Sequence, residues 1–213
     1  MPLKPVKRGI KVWVLADSTN GYLYTMQVYT GKKDGGQPEH SLGHRVVSDL
    51  VSNLQGKNYH IFSDNFFTSI RLAEDLLAEN FYLCGTMRSN RTDFPSDLKP
   101  NKPEVKALRR GESIFRQKEN IVTIVWEDKK LASFISTQCD VRGHETVRRK
   151  QNDGTYIKVP TIPSVTLYNK YMGGVDHNDQ MRQVLRDLKA SKEVVALPVL
   201  VLLRCEYCQC SYS

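Results

Sequence analysis

The sequence holds no apolar run long enough to cross a bilayer as a helix. Its longest, Val194 to Leu203, is interrupted by Pro198 and reaches about half of the roughly 20 residues a membrane span needs. No apolar stretch follows the basic residues Lys4, Lys7 and Arg8, so no secretory signal is read. Cysteine is sparse and odd in number: Cys84, Cys139, Cys205, Cys208 and Cys210 are all there are in 213 residues. That is not the even framework of a secreted disulfide scaffold. Cys205, Cys208 and Cys210 offer three sulfurs with no fourth ligand beside them, short of a structural zinc site. His44, His60, His144 and His177 show no metal-ligand spacing. Repeats and low-complexity tracts are absent. What these absences leave is a soluble, intracellular, globular chain with no membrane partner.

Charge is present in excess of one sign. Lys and Arg total 31 against 23 Asp and Glu, a formal +8 with a pI near 9.2. A basic surface favours polyanions, because neutralised phosphates release their condensed counterions. On charge alone a plain basic protein is an equal reading.

Hydrophobic periodicity then orders the chain. Ile10 to Ala16 is β-branched and aromatic, as in a strand buried on both faces, and it ends at Asp17. Asn20-Gly21 marks a turn into a second alternating strand, Tyr22 to Thr30. His44 to Leu54 has helical spacing closed by Gly56. Tyr59 to Phe62 is a short buried strand ending at Asp64, followed by a helix over Ser69 to Glu79 and a strand over Phe81 to Met87. The proline-bearing stretch Arg88 to Arg110 reads as a loop. Ser113 to Arg116, Ile121 to Trp126 and Leu131 to Ser136 read as short strands, and Thr146 to Lys150 with Tyr156 to Val159 as a hairpin. These are expected to form a β-rich lobe outside the main sheet. Val165 to Arg186 reads as largely helical. The expected class is α/β, a mixed sheet with helices packed on it.

Asp17 and Asp64 both follow predicted strands, where open sheets place much of their chemistry. Asp176 and Asp179, three residues apart, share one side of a helix. Carboxylate clusters suit Mg2+ or Mn2+, hard ions that complete their shell with water and substrate phosphate. A pair of such ions activates a nucleophile and relieves charge on a leaving oxygen in phosphodiester cleavage. Taken singly, each of the four acids is as well explained as a cap or turn former.

Four blocks in order carry a resemblance: Lys4 to Trp13 (KPVKRGIKVW), Ala16-Asp17-Ser18, Asp64 to Ser69 (DNFFTS), and Tyr168 to Asp176 (YNKYMGGVD) with Asp179-Gln180. In these the chain resembles the piggyBac transposase family from its first residues to Met181. The resemblance implies an RNase H-like mixed sheet, interrupted before its last acidic residue by a β-rich insertion. It divides the chain into a first part of the catalytic core at 1–110, the insertion at 111–160, a return to the core at 161–183 and a divergent tail at 184–213. It matches Asp17, Asp64 and Asp176 to three catalytic aspartates and Asp179 to a further acidic position. Two Mg2+ or Mn2+ ions, held by these four residues, are the implied cofactor. Lys11, Lys32, Lys33, Arg88 and Arg91 are the candidate phosphate contacts, although each taken alone reads better as a solvated surface charge. Asn65 is expected to orient Asp64.

The implied activity is cut-and-paste transposition in the nucleus: metal-assisted cleavage of DNA at transposon ends and joining to a TTAA target, by proteins that pair as homodimers at full length. The alternative is a domesticated relative that binds DNA without cleaving it. Val184 to Ser213 matches nothing in the family, so the chain reads as a truncated copy. Its apolar Val194 to Leu203 is expected either to pack on the sheet or to be poorly ordered.

Overall fold

A computed structural model of the chain describes residues 10–31, 41–138, 141, 143–178, 180, 195–196 and 199–204. The first strand, β1 (Ile10–Asp17), buries Val12, Val14 and Ala16 on one face and Trp13 and Leu15 on the other. Such two-sided burial explains its unbroken apolar composition. A turn returns the chain as β2 (Leu23–Val28), with Gly21 at φ 73° and Asn20 Oδ1 accepting the Tyr22 amide at 2.7 Å. β2 pairs antiparallel with β1 and alternates half-buried with exposed residues.

Next come α1 (Leu42–Val51), β3 (Tyr59–Ser63), α2 (Ile70–Ala78) and β4 (Tyr82–Thr86). α1 buries Val46, Val47, Leu50 and Val51, and α2 buries Leu72, Ala73 and Leu76. Both stripes lie over Trp13, Leu15, Ile61 and Leu83 to make one core. β3 and β4 are parallel, and α2 is the crossover that such a pair requires.

Residues 88–110 are more than a loop. They carry a 3-10 turn at Ser96–Leu98 and the short α3 (Pro103–Lys106). Phe94, Leu98 and Val105 bury themselves with Met87 and Val125 in a small cluster of their own. Each such side chain contributes roughly 1.5 to 3 kcal/mol when fully buried, which holds the segment to the body despite its prolines.

The strands β5 (Ser113–Lys118), β6 (Ile121–Glu127) and β7 (Leu131–Ser136) form an antiparallel meander. The meander was expected to stand outside the main sheet. Instead β7 pairs antiparallel with β4, Cys84 opposite Ser136, and extends that sheet. β6 is buried from Ile121 to Trp126, so it is an interior strand, and alternation alone had not revealed its partner. Only β8 (Glu145–Lys150) and β9 (Tyr156–Thr161) stand apart, as a two-stranded ribbon. α4 (Pro163–Tyr171) then covers the second face, where Val165, Tyr168 and Val175 meet Val14, Ala16, Phe62 and Phe134. Helix stops at Met172-Gly173 and resumes over residues 174–178.

The tail supplies the finding that matters most for the site. β10 (Val195–Ala196) and β11 (Val199–Arg204) lie along β1, and β11 also pairs with β3. Across the main sheet the order is β2-β1-β11-β3-β4-β7-β6-β5, with β10 on the start of β1. The RNase H-like expectation placed β1 beside β3, and β11 separates them. β11 is parallel to β1 and antiparallel to β3, so β1 and β3 run in opposite directions. The apolar tail therefore neither packs on the sheet nor stays outside it: it is a strand of it. The architecture is a mixed sheet with α1 and α2 on one face and α4 on the other.

Candidate metal and nucleic-acid site

The site begins where β3 ends. Asp64 turns the chain sharply: its carbonyl oxygen accepts from the amides of Phe67 and Thr68, each at 3.2 Å, and from Thr68 Oγ1 at 2.8 Å. Its carboxylate Oδ1 accepts the Phe66 amide at 2.8 Å, an Asx turn that orients the side chain. Buried Thr68 also meets Ser63 Oγ at 2.7 Å. β4 crosses so near that a Cβ on Gly85 would lie 2.6 Å from both Ser63 O and Thr68 Oγ1. Ser69 then caps α2 by accepting the Leu72 amide at 3.1 Å, and Asp93 Oδ2 takes the Ile70 amide at 2.7 Å. The run Asp-Asn-Phe-Phe-Thr-Ser is thus a strand end, a lock and a helix cap in six residues.

Asn65 does not orient Asp64. Its Oδ1 accepts from Arg88 Nε at 2.8 Å, while Arg91 Nη2 donates to Phe66 O at 2.6 Å and to Asn65 O at 3.3 Å. Both arginines are thereby fixed to the two residues that follow Asp64. They share a cavity of about 680 Å3 with Arg71, His44, Asp93 and Phe66. Three guanidiniums on one groove suit a phosphate backbone.

Lys11 stands beside the Asp64 turn. Its ammonium sits 4.0 Å from the Trp13 ring centroid and 5.0 Å from that of Phe66, a cation–π arrangement. Burial holds the ammonium below its ordinary pKa, against the opposing pull of Asp64. Lys11 is a charge neighbour of Asp64 bedded on aromatic rings.

On the other side of Asp64 stands Tyr168, buried on α4, its hydroxyl 3.4 Å from Thr86 Oγ1. Burial pushes this hydroxyl above its usual pKa, and the charges of Asp64 and Asp176 push it the same way. Both carboxylates therefore act on one buried phenol. Asp176 is exposed, and its helical turn is docked by Asn178, whose Nδ2 donates to Gly21 O at 2.9 Å. The sequence pattern had passed over Tyr168, Thr68 and Gly85; the only signal was polar residues inside otherwise apolar motifs.

Asp17 is set apart from Asp64, although the Gly21 that receives Asn178 from the Asp176 turn donates its own amide to Asp17 O at 2.8 Å. Its Oδ1 accepts the Thr19 amide at 2.7 Å, the bond of a turn former. Register sets Asp17 opposite Leu202, and Leu202 opposite Ile61, whereas Asp64 lies beyond Ser63. The offset of three residues is about 10 Å along the strands, and two strand spacings add about 9.6 Å across, so the two α-carbons are about 14 Å apart. Strand alternation also puts Asp17 on the face of Trp13 and Leu15, away from α4. A strand end is a favoured place for an acid, but antiparallel strands end at opposite edges. Asp179, Lys32 and Lys33 lie outside the described residues.

Among the described residues no group of three or more His, Cys, Asp or Glu is close enough to hold a metal ion. Of the acids named from the sequence, Asp64 and Asp176 are the two whose charges both bear on Tyr168.

Comparison with known proteins agrees with the resemblance. The sequence model of a family described as Transposase IS4 matches residues 1–203. The human PiggyBac transposable element-derived protein 2 is 30% identical over 187 residues, covering 83% of this chain and 31% of its own length. The human PiggyBac transposable element-derived protein 3 is 30% identical over 207 residues, covering 92% and 34%. The chain thus spans about a third of these relatives. Among solved structures, a piggyBac transposase synaptic complex with hairpin DNA matches with a TM-score of 0.65 at 28% identity, over 93% of this chain and 37% of that one. The chain therefore belongs to the piggyBac transposase family.

Proposed function

We propose that this chain is a DNA-acting transposase core whose metal site is built on Asp64 and Asp176, with Arg71, Arg88 and Arg91 receiving the DNA backbone. The observation that carries the reading is the Asp64 turn. Its carboxylate is oriented by the Phe66 amide, and the two residues that follow it fix Arg88 and Arg91. Mg2+ or Mn2+ bound there would supply Lewis-acid activation of water and relief of charge on a phosphodiester oxygen. The Tyr168 hydroxyl, paired with Thr86 Oγ1, stays protonated across physiological pH. The arginines hold the DNA backbone in the groove beside Phe66. Cleavage at transposon ends, joining at TTAA, action in the nucleus and pairing with a second copy belong to the same reading.

A second reading, DNA binding without cleavage, is favoured by the position of Asp17. Two carboxylates bind an ion, but a two-ion mechanism needs more donors than Asp64 and Asp176 provide. Supercoiled plasmid incubated with the full chain and Mn2+ separates the two. Nicking that vanishes in Asp64→Asn supports the enzyme; salt-sensitive binding with no nicking supports the binding module. Failure to bind DNA at low salt overturns both.

A further inference from the structure

The β8–β9 ribbon has two unlike faces. Inward, Arg149 Nε donates to Asp128 Oδ2 at 2.7 Å, and Arg110 Nε donates to Asp128 Oδ1 at 2.9 Å. This side chain of Asp128 is only 13% exposed. Trp126 Nε1 donates to Pro160 O at 3.0 Å, and a Cβ on Gly111 would lie 2.7 Å from Pro160 Cδ. The ribbon is therefore held at its root by the Trp126 indole bond and packing on Gly111, and near its tip by the Arg149–Asp128–Arg110 ion triad.

Outward, the ribbon carries Arg148, Lys150, Lys158 and Tyr156, all exposed. Arg148 stands directly opposite Lys158, and Lys150 opposite Tyr156. Like charges set opposite each other destabilise an antiparallel pair. Neither Arg148, Lys150 nor Lys158 forms an ion pair with any described residue; Arg148 rests 4.6 Å over the Tyr156 ring. The acid at the ribbon tip, Asp153, is occupied by the Thr155 amide and hydroxyl at 2.9 and 2.7 Å. Glu145 lies on the inward side. Exposed Lys129 and Lys130 extend the positive surface from the β6–β7 turn, and Lys129 Nζ donates to Lys150 O at 3.4 Å. A repulsive, unpaired cation cluster on a rigid support calls for an anionic partner.

From this we infer that the outer face of the β8–β9 ribbon is a second, separate duplex-DNA contact, an inference that rests on the DNA-acting reading above. A two-stranded ribbon fits the major groove, which is about 12 Å wide. Six residues per strand span about 20 Å, and Arg148 and Lys150 are about 7 Å apart along one edge. The contact is with phosphate: the three cations hold the backbone, and the Tyr156 ring keeps Arg148 extended rather than folded onto acid.

The test uses the full chain and a plain 30-base-pair duplex, with affinity measured by fluorescence anisotropy from 50 to 300 mM salt. Each lost phosphate contact makes the slope of log K against log salt shallower by roughly 0.9. The variant Arg148→Gln/Lys150→Gln/Lys158→Gln is expected to lose about 3 from that slope. A charge-matched control, Lys57→Gln/Lys102→Gln/Lys106→Gln, changes exposed lysines elsewhere and is expected to leave the slope nearly unchanged. Melting curves of both variants establish that each is folded, and the ribbon variant should be no less stable than the wild type because its repulsion is relieved. Equal losses in the two triples would mean that net charge alone acts and would overturn the ribbon assignment, as would no loss in either. A wild-type chain that fails to bind the duplex at 50 mM salt removes the DNA-acting reading itself, which is a different failure.

Discussion

Cutting the chain after Pro198 removes β11 and tests the sheet at its centre. Val199 to Leu202 are registered against Val14 to Asp17, and Leu200 to Arg204 against Tyr59 to Ser63. Nine ladder positions, at a net 0.5 to 1.5 kcal/mol for each hydrogen bond, amount to roughly 9 kcal/mol if about one bond forms per position. Val14, Leu15, Ile61 and Phe62 are at most 1% exposed, so the amides left behind would stand open in the middle of the core. Whole domains are stable by only about 5 to 15 kcal/mol. Residues 1–198 should therefore be unfolded, or should associate through the bared edges of β1 and β3. A milder change, Val201→Pro, removes one interior donor and should cost about 2 kcal/mol, a fall of roughly 4 to 8 °C in Tm for a chain of this size. Circular dichroism melts and size-exclusion chromatography read both. A truncated chain that is monomeric and melts within 2 °C of the full chain would refute the placement of β11 between β1 and β3.

Two further outcomes follow from local geometry. Gly85→Ala puts a methyl 2.6 Å from Ser63 O and Thr68 Oγ1; the backbone must shift, costing about 1 to 3 kcal/mol and loosening the Asp64 turn, so Tm and DNA affinity should fall together, whereas a loss in neither would contradict the lock. Burial holds His60 down to about 4, with a Gln138 hydrogen bond opposing, and its Nε2 has no partner among the described residues. The folded pKa lies below the unfolded value of about 6.5, so the unfolded state takes up the proton first. Stability should decline as pH falls from 6.5 to 4, by at most about 3 kcal/mol, and level off below. His60→Leu should flatten that decline in urea titrations; an unchanged pH slope in the variant would assign it to other groups.

Much of the fold was legible because its elements are short and strongly patterned. Val46, Val47, Leu50 and Val51 announce α1, and the Asn20-Gly21 turn announces the β1–β2 hairpin. Partnership was less legible, because pairing between distant segments leaves no local periodicity. β7 reads as a strand from Leu131 to Ser136 whether or not it joins β4. Val199 to Arg204 reads as an apolar run, and only the gap between β1 and β3 makes it a central strand. The same gap decides the site. Asp64 was found through a motif whose every residue has a visible task, from the Phe66 amide bond to the Ser69 cap. Asp17 was assigned from an equally good motif, but a strand-end position says nothing about the direction of the strand. Tyr168 escaped notice because a tyrosine on an amphipathic helix looks like packing; its pairing with Thr86 of β4 is a property of the assembled fold.

The most direct test of the metal site is calorimetric titration of Mn2+ into the wild-type chain and into Asp17→Asn, Asp64→Asn and Asp176→Asn, each confirmed as folded by its melt. With Asp64 and Asp176 as the ligands, those two variants should each lose affinity by at least about tenfold, the order of 1.4 kcal/mol, while Asp17→Asn should titrate like the wild type. If Asp17→Asn loses as much affinity as Asp64→Asn, or if Asp64→Asn binds Mn2+ unchanged, the assignment of the site to Asp64 and Asp176 is wrong.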